Sequence, residues 1–87
     1  MSKVLQDITK EVIQYAEEYH YLPDNVKIAK AEILTDEWES KYLYVEYIMD
    51  GEQHNIVMYY VNSLEGILII TLEKIKDYYN KLHTIQN

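Results

Sequence analysis

Apolar residues recur at steps of three and four through the first part of the chain, the spacing of one face of a helix. The stripe is made by Leu5, Ile8, Val12, Tyr15, Tyr19 and Leu22. Ser2 is a candidate N-cap, and Pro23 disfavours the helical conformation in the residue before it. The pattern therefore predicts a helix from Ser2 to Tyr21.

After Pro23 the period shortens toward two, the spacing of a strand with one buried face. From Val26 onward, Ala29, Ala31 and Ile33 alternate with charged residues. Alanine, lysine and glutamate are poor strand formers, so a helix is the alternative for this segment.

The clearest alternation runs from Trp38 to Met49, which predicts a second strand. One face of that strand carries Leu43, Val45, Tyr47 and Met49, and the other carries Trp38, Ser40, Tyr42, Tyr44, Glu46 and Ile48. Asp50-Gly51 is a strong hairpin signal. A third strand is predicted from His54 to Val61.

The C-terminal part returns to helical spacing. Asn62 and Ser63 precede Leu64 and Glu65 as a helix start, and the apolar stripe continues to His83. Gly66 and the β-branched residues between Ile67 and Thr71 weaken this prediction. The alternative is a short fourth strand over Ile67–Thr71 followed by a helix from Leu72.

These elements predict a single α+β domain over residues 1–87 in the order α-β-β-β-α. It would be a three-stranded antiparallel meander with the N- and C-terminal helices on one face, leaving the other face solvated, self-paired or bound to a partner. Double-stranded-RNA-binding domains share this order, but their second helix starts with a lysine-rich motif. Here that helix starts with Glu65 and no base, so that assignment is rejected.

Composition excludes several kinds of chemistry. The chain has no cysteine, hence no disulfide, thiolate zinc site or cysteine nucleophile. Glu17 and His20 make one Glu-x-x-His motif, whereas di-metal bundles use two. The serines lack a nucleophile elbow, and the two glycines form no phosphate-binding loop. We therefore expect no enzymatic activity, no metal and no cofactor.

Two further partners are disfavoured by composition. The eight basic residues are all lysine, and the three on the last helix, Lys74, Lys76 and Lys81, surround Asp77, so direct nucleic-acid binding is not expected. No apolar run approaches the ~20 residues of a membrane-spanning helix, and charges interrupt the first twenty residues, where a signal peptide would be apolar. A cytoplasmic protein is expected.

Negative charge is concentrated in the predicted sheet. The whole chain has a net charge of −7, and residues 32–73 hold nine acids against Lys41 alone.

The aromatic residues are biased toward tyrosine: the chain has ten tyrosines, one tryptophan and no phenylalanine. Tyrosine suits half-exposed positions and is enriched in binding surfaces. Acids interleaved with aromatics on a sheet are typical of a surface that binds a basic partner.

The resulting hypothesis is a non-enzymatic binding protein whose acidic, tyrosine-bearing sheet docks on a basic protein surface. A natural target is the nucleic-acid groove of a nuclease or another nucleic-acid-handling effector, with carboxylates standing where phosphates would sit. The predicted partner-binding residues are Glu32, Asp36, Glu37, Trp38, Glu39, Tyr42, Tyr44, Glu46, Asp50 and Glu52.

In size, charge and AT-rich composition the chain resembles the small acidic inhibitors that phages make against host defence nucleases, anti-CRISPR proteins among them. That resemblance implies an inhibitor that acts in the host cytoplasm. One alternative is a homo-oligomerising structural or accessory domain, dimerising through an apolar patch of Trp38, Tyr42, Tyr44 and Ile48. An antitoxin or immunity protein for a basic toxin is the other.

Overall fold

A four-stranded antiparallel sheet carries two helices on one of its faces. The computed structural model describes residues 3–59 and 63–84. Strands follow one another in the sheet in the order β1-β2-β3-β4. The elements are β1 (Lys3–Asp7), α1 (Thr9–Glu18), β2 (Val26–Thr35), β3 (Lys41–Met49), β4 (Glu52–Tyr59) and α2 (Leu64–Thr84).

The core lies between the two helices and one face of the sheet. From Tyr42 to Met49, strand β3 alternates strictly between half-buried and buried residues, as the sequence predicts, and places Leu43 and Val45 in the centre with no exposed surface. The helices contribute a matching stripe, with Val12 from α1 and Leu72 from α2 fully buried. The prediction of an α+β fold with both helices on one face is confirmed.

The N-terminal segment differs from the helix predicted over Ser2–Tyr21. Lys3–Asp7 forms an edge strand instead, and helix α1 begins only at Thr9. The Asp7 carboxylate accepts hydrogen bonds from the backbone N–H and the hydroxyl of Thr9, at 2.9 and 2.6 Å, and so marks the change of direction. The sheet therefore has four strands rather than three, and the element order is β-α-β-β-β-α. Ser2, the predicted cap, lies outside the described residues.

The segment after Pro23 is a strand, so the helical alternative is wrong. One of its two alanines, Ala31, is explained by the position of helix α1 above β2, whereas Ala29 is exposed. Ala31 is fully buried under the start of α1, where its N–H donates to Thr9 Oγ1 at 3.0 Å and its carbonyl accepts from Ile8 N at 2.9 Å. An irregularity in register between Ile28 and Lys30 precedes this contact. A small side chain at residue 31 lets the helix approach the sheet closely.

The C-terminal segment is helical throughout Leu64–Thr84, which excludes the alternative strand over Ile67–Thr71. The Ser63 hydroxyl accepts the Gly66 N–H at 3.2 Å, the expected capping contact. Thr71 is buried but satisfied, because its hydroxyl donates to the Ile67 carbonyl at 2.7 Å. Asn62, the other predicted cap residue, lies outside the described residues.

Two strand boundaries also shift. The strand predicted from Trp38 begins at Lys41, which leaves Trp38 in the turn before it. The strand predicted over His54–Val61 runs from Glu52 to Tyr59, and Val61 lies outside the described residues. Neither helix within residues 3–59 and 63–84 has the length and apolar character that a membrane crossing would need.

Candidate protein-binding surface

The turn between β2 and β3 is organised by one carboxylate. Asp36 Oδ1 accepts hydrogen bonds from the backbone N–H groups of Trp38 and Ser40, both at 2.9 Å, and Oδ2 accepts the Tyr59 hydroxyl at 3.2 Å. The Glu39 N–H donates to the Asp36 carbonyl at 3.1 Å, and Glu39 has a left-handed φ of 63°. The turn is therefore fixed both to itself and to strand β4.

These contacts set the ionisation of Asp36. Partial desolvation acts to raise the pKa of its carboxyl, but the hydrogen bonds from Ser40, Trp38 and Tyr59 together outweigh that effect and hold the pKa below its usual value. The carboxylate form is the one that accepts all three donors. Asp36 is thus the charged centre that gives the turn its shape.

Replacing Asp36 by asparagine is expected to flatten the pH dependence of stability. Because the pKa of Asp36 is lower in the folded protein, its contribution is complete above the unfolded pKa of about 3.9 and disappears as the pH falls through the folded value. The difference in urea midpoint between wild type and Asp36→Asn should therefore shrink between about pH 6 and about pH 2.5. Glu37→Gln in the same turn is the matched control, and a wild-type pH profile for Asp36→Asn would contradict the role assigned here.

The same turn presents a single large apolar side chain to solvent. Trp38 is 77% exposed, and its neighbours Glu37 and Glu39 are exposed as well. An indole is costly to leave in water and is a frequent anchor in protein interfaces. The turn thus combines an aromatic anchor with a carboxylate on each side.

The sheet face opposite the helices, here called the open face, carries an apolar row across all four strands. Val4 on β1 is paired with Leu34 on β2, Leu34 with Tyr42 on β3, and Tyr42 with Tyr59 on β4. Val4 and Tyr59 are each 50% exposed, and the rings of Tyr42 and Tyr59 lie 5.4 Å apart. This apolar row borders the acidic turn directly, because the Tyr59 hydroxyl donates a hydrogen bond to Asp36.

Further along the strands, the open face becomes polar and its acids are engaged within the protein. Glu46 accepts the Tyr44 hydroxyl at 3.0 Å and the Gln53 amide at 2.9 Å, one on each carboxylate oxygen. The hydrogen bond to Glu46, with partial desolvation, raises the pKa of Tyr44. Glu32 lies 3.5 Å from the Lys30 ammonium. These two carboxylates are less available to a partner than those of Glu37 and Glu39 in the turn.

In the turn between β3 and β4, the carboxylate of Asp50 makes contacts with other parts of the protein. Asp50, with a φ of 53°, exchanges backbone and side-chain hydrogen bonds with Asn25, and its Oδ2 lies 3.2 Å from His83 Nε2. The other ring nitrogen of His83, Nδ1, is 2.8 Å from the Tyr79 carbonyl, so the imidazole contacts both Asp50 and its own helix. Asp50 therefore ties the last turn of α2 to the end of the sheet.

The structure separates the ten predicted binding residues into two groups. Eight belong to the β2–β3 turn or the open face, namely Glu32, Asp36, Glu37, Trp38, Glu39, Tyr42, Tyr44 and Glu46. Asp50 and Glu52 lie at the opposite end of β3, roughly 27 Å from the β2–β3 turn along nine residues of strand, and Glu46 lies between the turn and these two acids. A partner of modest size seated on the β2–β3 turn would not reach Asp50 and Glu52.

Tyrosines are also distributed over several places. Tyr42 and Tyr59 lie on the open face, whereas Tyr47 is buried in the core. Tyr15, Tyr19 and Tyr21 cluster near the end of α1, with ring centroids 4.8 to 6.2 Å apart. The tyrosines of this chain, which has no phenylalanine, therefore occupy the core as well as two surface regions.

Sequence reasoning did not select Val4, Leu34, Val57 or Tyr59 for this surface. Val4 was assigned to the predicted helix, and the partners of Leu34 and Tyr59 depend on strand register, which a single sequence does not reveal. A usable signal existed at Val57 and Tyr59, which the alternation places on the same face of their strand.

The described part of the chain shows no cluster of three or more histidine, aspartate or glutamate side chains placed to hold a metal ion. Comparison of the chain with protein-family models, with curated proteins and with solved structures gave no match. The surface geometry alone therefore supplies the argument for function.

Proposed function

We propose that this chain is a non-enzymatic binding protein that docks the acidic β2–β3 turn on a basic surface of another protein. The observation that supports this most is the exposed Trp38 between Glu37 and Glu39, on a turn that Asp36 holds rigid. A fixed turn loses little conformational entropy on binding. An aromatic anchor flanked by charges supplies both contact area and selectivity for a basic partner.

Charge on the rest of the open face limits where such a partner would sit. Lys27 pairs with Ile48 and Lys30 with Glu46, so both lysines lie in the half of the face that is nearer the β3–β4 turn. There they offset part of the negative charge of Glu46, Asp50 and Glu52, so the turn at the other end is the more favourable place for a basic partner. The footprint proposed is therefore one end of the sheet rather than the whole acidic region.

The target class proposed is a nucleic-acid-handling protein, such as a nuclease or effector, whose groove for phosphates is basic. Glu37 and Glu39 would occupy positions that phosphates otherwise take, and binding would inhibit the target by exclusion. The net charge of −7 favours rapid association with such a groove. A phage inhibitor of a host defence nuclease, of the anti-CRISPR kind and acting in the host cytoplasm, fits this proposal.

Charge reversal at Glu37 and Glu39 together is the direct test. The immobilised protein is expected to retain a basic nucleic-acid-handling protein from host lysate at low salt and release it at high salt. The captured protein should then compete with its own DNA or RNA for the chain. We expect the double variant Glu37→Lys, Glu39→Lys to weaken that binding by about tenfold or more.

The control carries the same change in charge on helix α1, at Glu17→Lys and Glu18→Lys, which are exposed away from the turn. It should bind like the wild type. Equal weakening by both double variants would indicate only an overall charge effect. Undiminished binding by the turn variant would rule out the proposed surface.

A further inference from the structure

The length of the apolar row on the open face can be compared with the spacing of side chains on a helix or a strand of a partner protein. It crosses four strands through Val4, Leu34, Tyr42 and Tyr59. Neighbouring strands lie about 4.8 Å apart, so the row is about 14 Å long with one apolar side chain at each step. Val57, 46% exposed, and Tyr44 widen it on the side away from the acidic turn.

A second copy of the chain is a poor occupant for this row. Both ends of strand β3 carry more acids than lysines, with Asp36, Glu37 and Glu39 beside Lys41 at one end and Asp50 and Glu52 at the other. Two copies packed face to face with their strands aligned place one acidic end over another, whichever way the strands run. Like charges brought together oppose that association.

We infer that the apolar row receives a short amphipathic helix of the partner, laid across the strands with its basic side toward Glu37 and Glu39. This inference rests on the proposed function and adds the partner's secondary structure to it. Apolar residues at i, i+3 and i+7 of a helix are separated by about 4.5 to 6 Å along its axis, close to the spacing between strands. The acidic turn borders the row on one side only, so it selects a helix with basic residues on one flank.

An extended segment matches the row less well. Side chains on one face of a strand recur at about 6.8 Å, which exceeds the spacing of the row by about 2 Å at each step. Two or three apolar side chains of such a segment would meet the row, against three or four from about ten residues of helix.

The test uses two peptides of about 16 residues with the same composition of leucine, lysine and alanine. In the first, leucines follow helical spacing and lysines occupy one flank; in the second, the order is scrambled. We expect the first peptide to bind about tenfold more tightly in fluorescence anisotropy. Its binding should shift the backbone amide signals of Val4, Leu34, Tyr42 and Tyr59 in NMR spectra.

Two variants assign the contacts. Val4→Ser removes a half-exposed apolar group from the row, and Ile70→Ser, the control, removes one of similar exposure (43%) from helix α2. Val4→Ser should weaken binding of the first peptide about fivefold and leave the scrambled peptide unaffected, whereas Ile70→Ser should change neither. Glu37→Lys with Glu39→Lys should weaken both peptides.

Four other outcomes would contradict the inference or the proposed function. Equal binding of both peptides, lost on charge reversal, overturns the helix and leaves the acidic docking surface standing. Binding that survives charge reversal counts against the proposed function itself. Failure of the first peptide to bind, or shifts confined to other residues, overturns the inference. Self-association that Val4→Ser abolishes would assign the row to a second copy.

Discussion

Replacing Leu43 by alanine is expected to lower the free energy of unfolding by about 2–5 kcal/mol. Leu43 has no exposed surface and lies on β3 between Ile33 of β2 and Met58 of β4. Removing its side chain leaves a cavity at the centre of the sheet, beneath both helices. A domain of this length has a total stability of about 4–13 kcal/mol, so the loss is a large part of the whole. Urea denaturation followed by circular dichroism measures it.

Leu82→Ala is the matched control for that experiment. Leu82 is 38% exposed near the end of α2, so the same atoms are removed from a place already in contact with water. We expect its effect to stay below about 1 kcal/mol. Similar losses for Leu43→Ala and Leu82→Ala would mean that the core is not where the structure places it.

Replacing Ile70 by proline is expected to cost about 3 kcal/mol or more. Ile70 lies within helix α2, where proline removes a backbone N–H donor and its ring clashes with the carbonyl of Gly66, one turn earlier. The side chain of Ile70 is 43% exposed, so lost packing contributes little. Thermal unfolding should show a clear fall in Tm, and helical signal in circular dichroism should decrease with it.

Ile70→Ala separates the helix from the alternative strand. Alanine has a higher helix propensity than isoleucine, whereas a strand favours the β-branched residue. The alanine variant should be as stable as the wild type or slightly more so. A loss of stability on Ile70→Ala, with a small effect of Ile70→Pro, would contradict a helix at this position.

The β3–β4 hairpin is the part of the fold that sequence predicts best. Its alternation is strict because one face of β3 is fully buried while the other is not, and Asp50-Gly51 supplies the left-handed residues that the turn needs, with φ values of 53° and 83°. The ambiguity at Ile67–Thr71 was local. Burial at residues 67, 68, 71, 72 and 75 follows helical spacing and outweighs the strand preference of β-branched residues.

The N-terminal strand could not be predicted from periodicity. Val4 and Leu5 fit the helical stripe that continues into α1, yet both are about half exposed, because β1 is an edge strand whose side chains do not enter the core. What interrupts the stripe is a hydrogen bond from Thr9 to Asp7, a contact between polar residues that an apolar pattern does not register. Because periodicity does not separate β1 from α1, it predicts neither the fourth strand nor the end of the apolar row that Val4 forms.

The sequence predicts which residues of the β2–β3 turn belong to the candidate site, but it does not predict which other residues lie beside them. Residues 36–39 could be selected from charge and aromatic content alone. Their association with Tyr59, 23 residues further along, depends on the β3–β4 pairing and on the single carboxylate of Asp36. Separation of Asp50 from this group likewise depends on strand length and on the contact with His83.

The pairing of Lys3 with Thr35 and the contact of His83 with Asp50 give the two ends of the described chain different surroundings. A fusion partner, affinity tag or surface linker attached ahead of Lys3 emerges beside the β2–β3 turn and would obstruct anything that binds there. One attached behind Thr84 emerges at the far end of the sheet. Immobilisation through the C-terminal side therefore leaves Trp38 facing the solution.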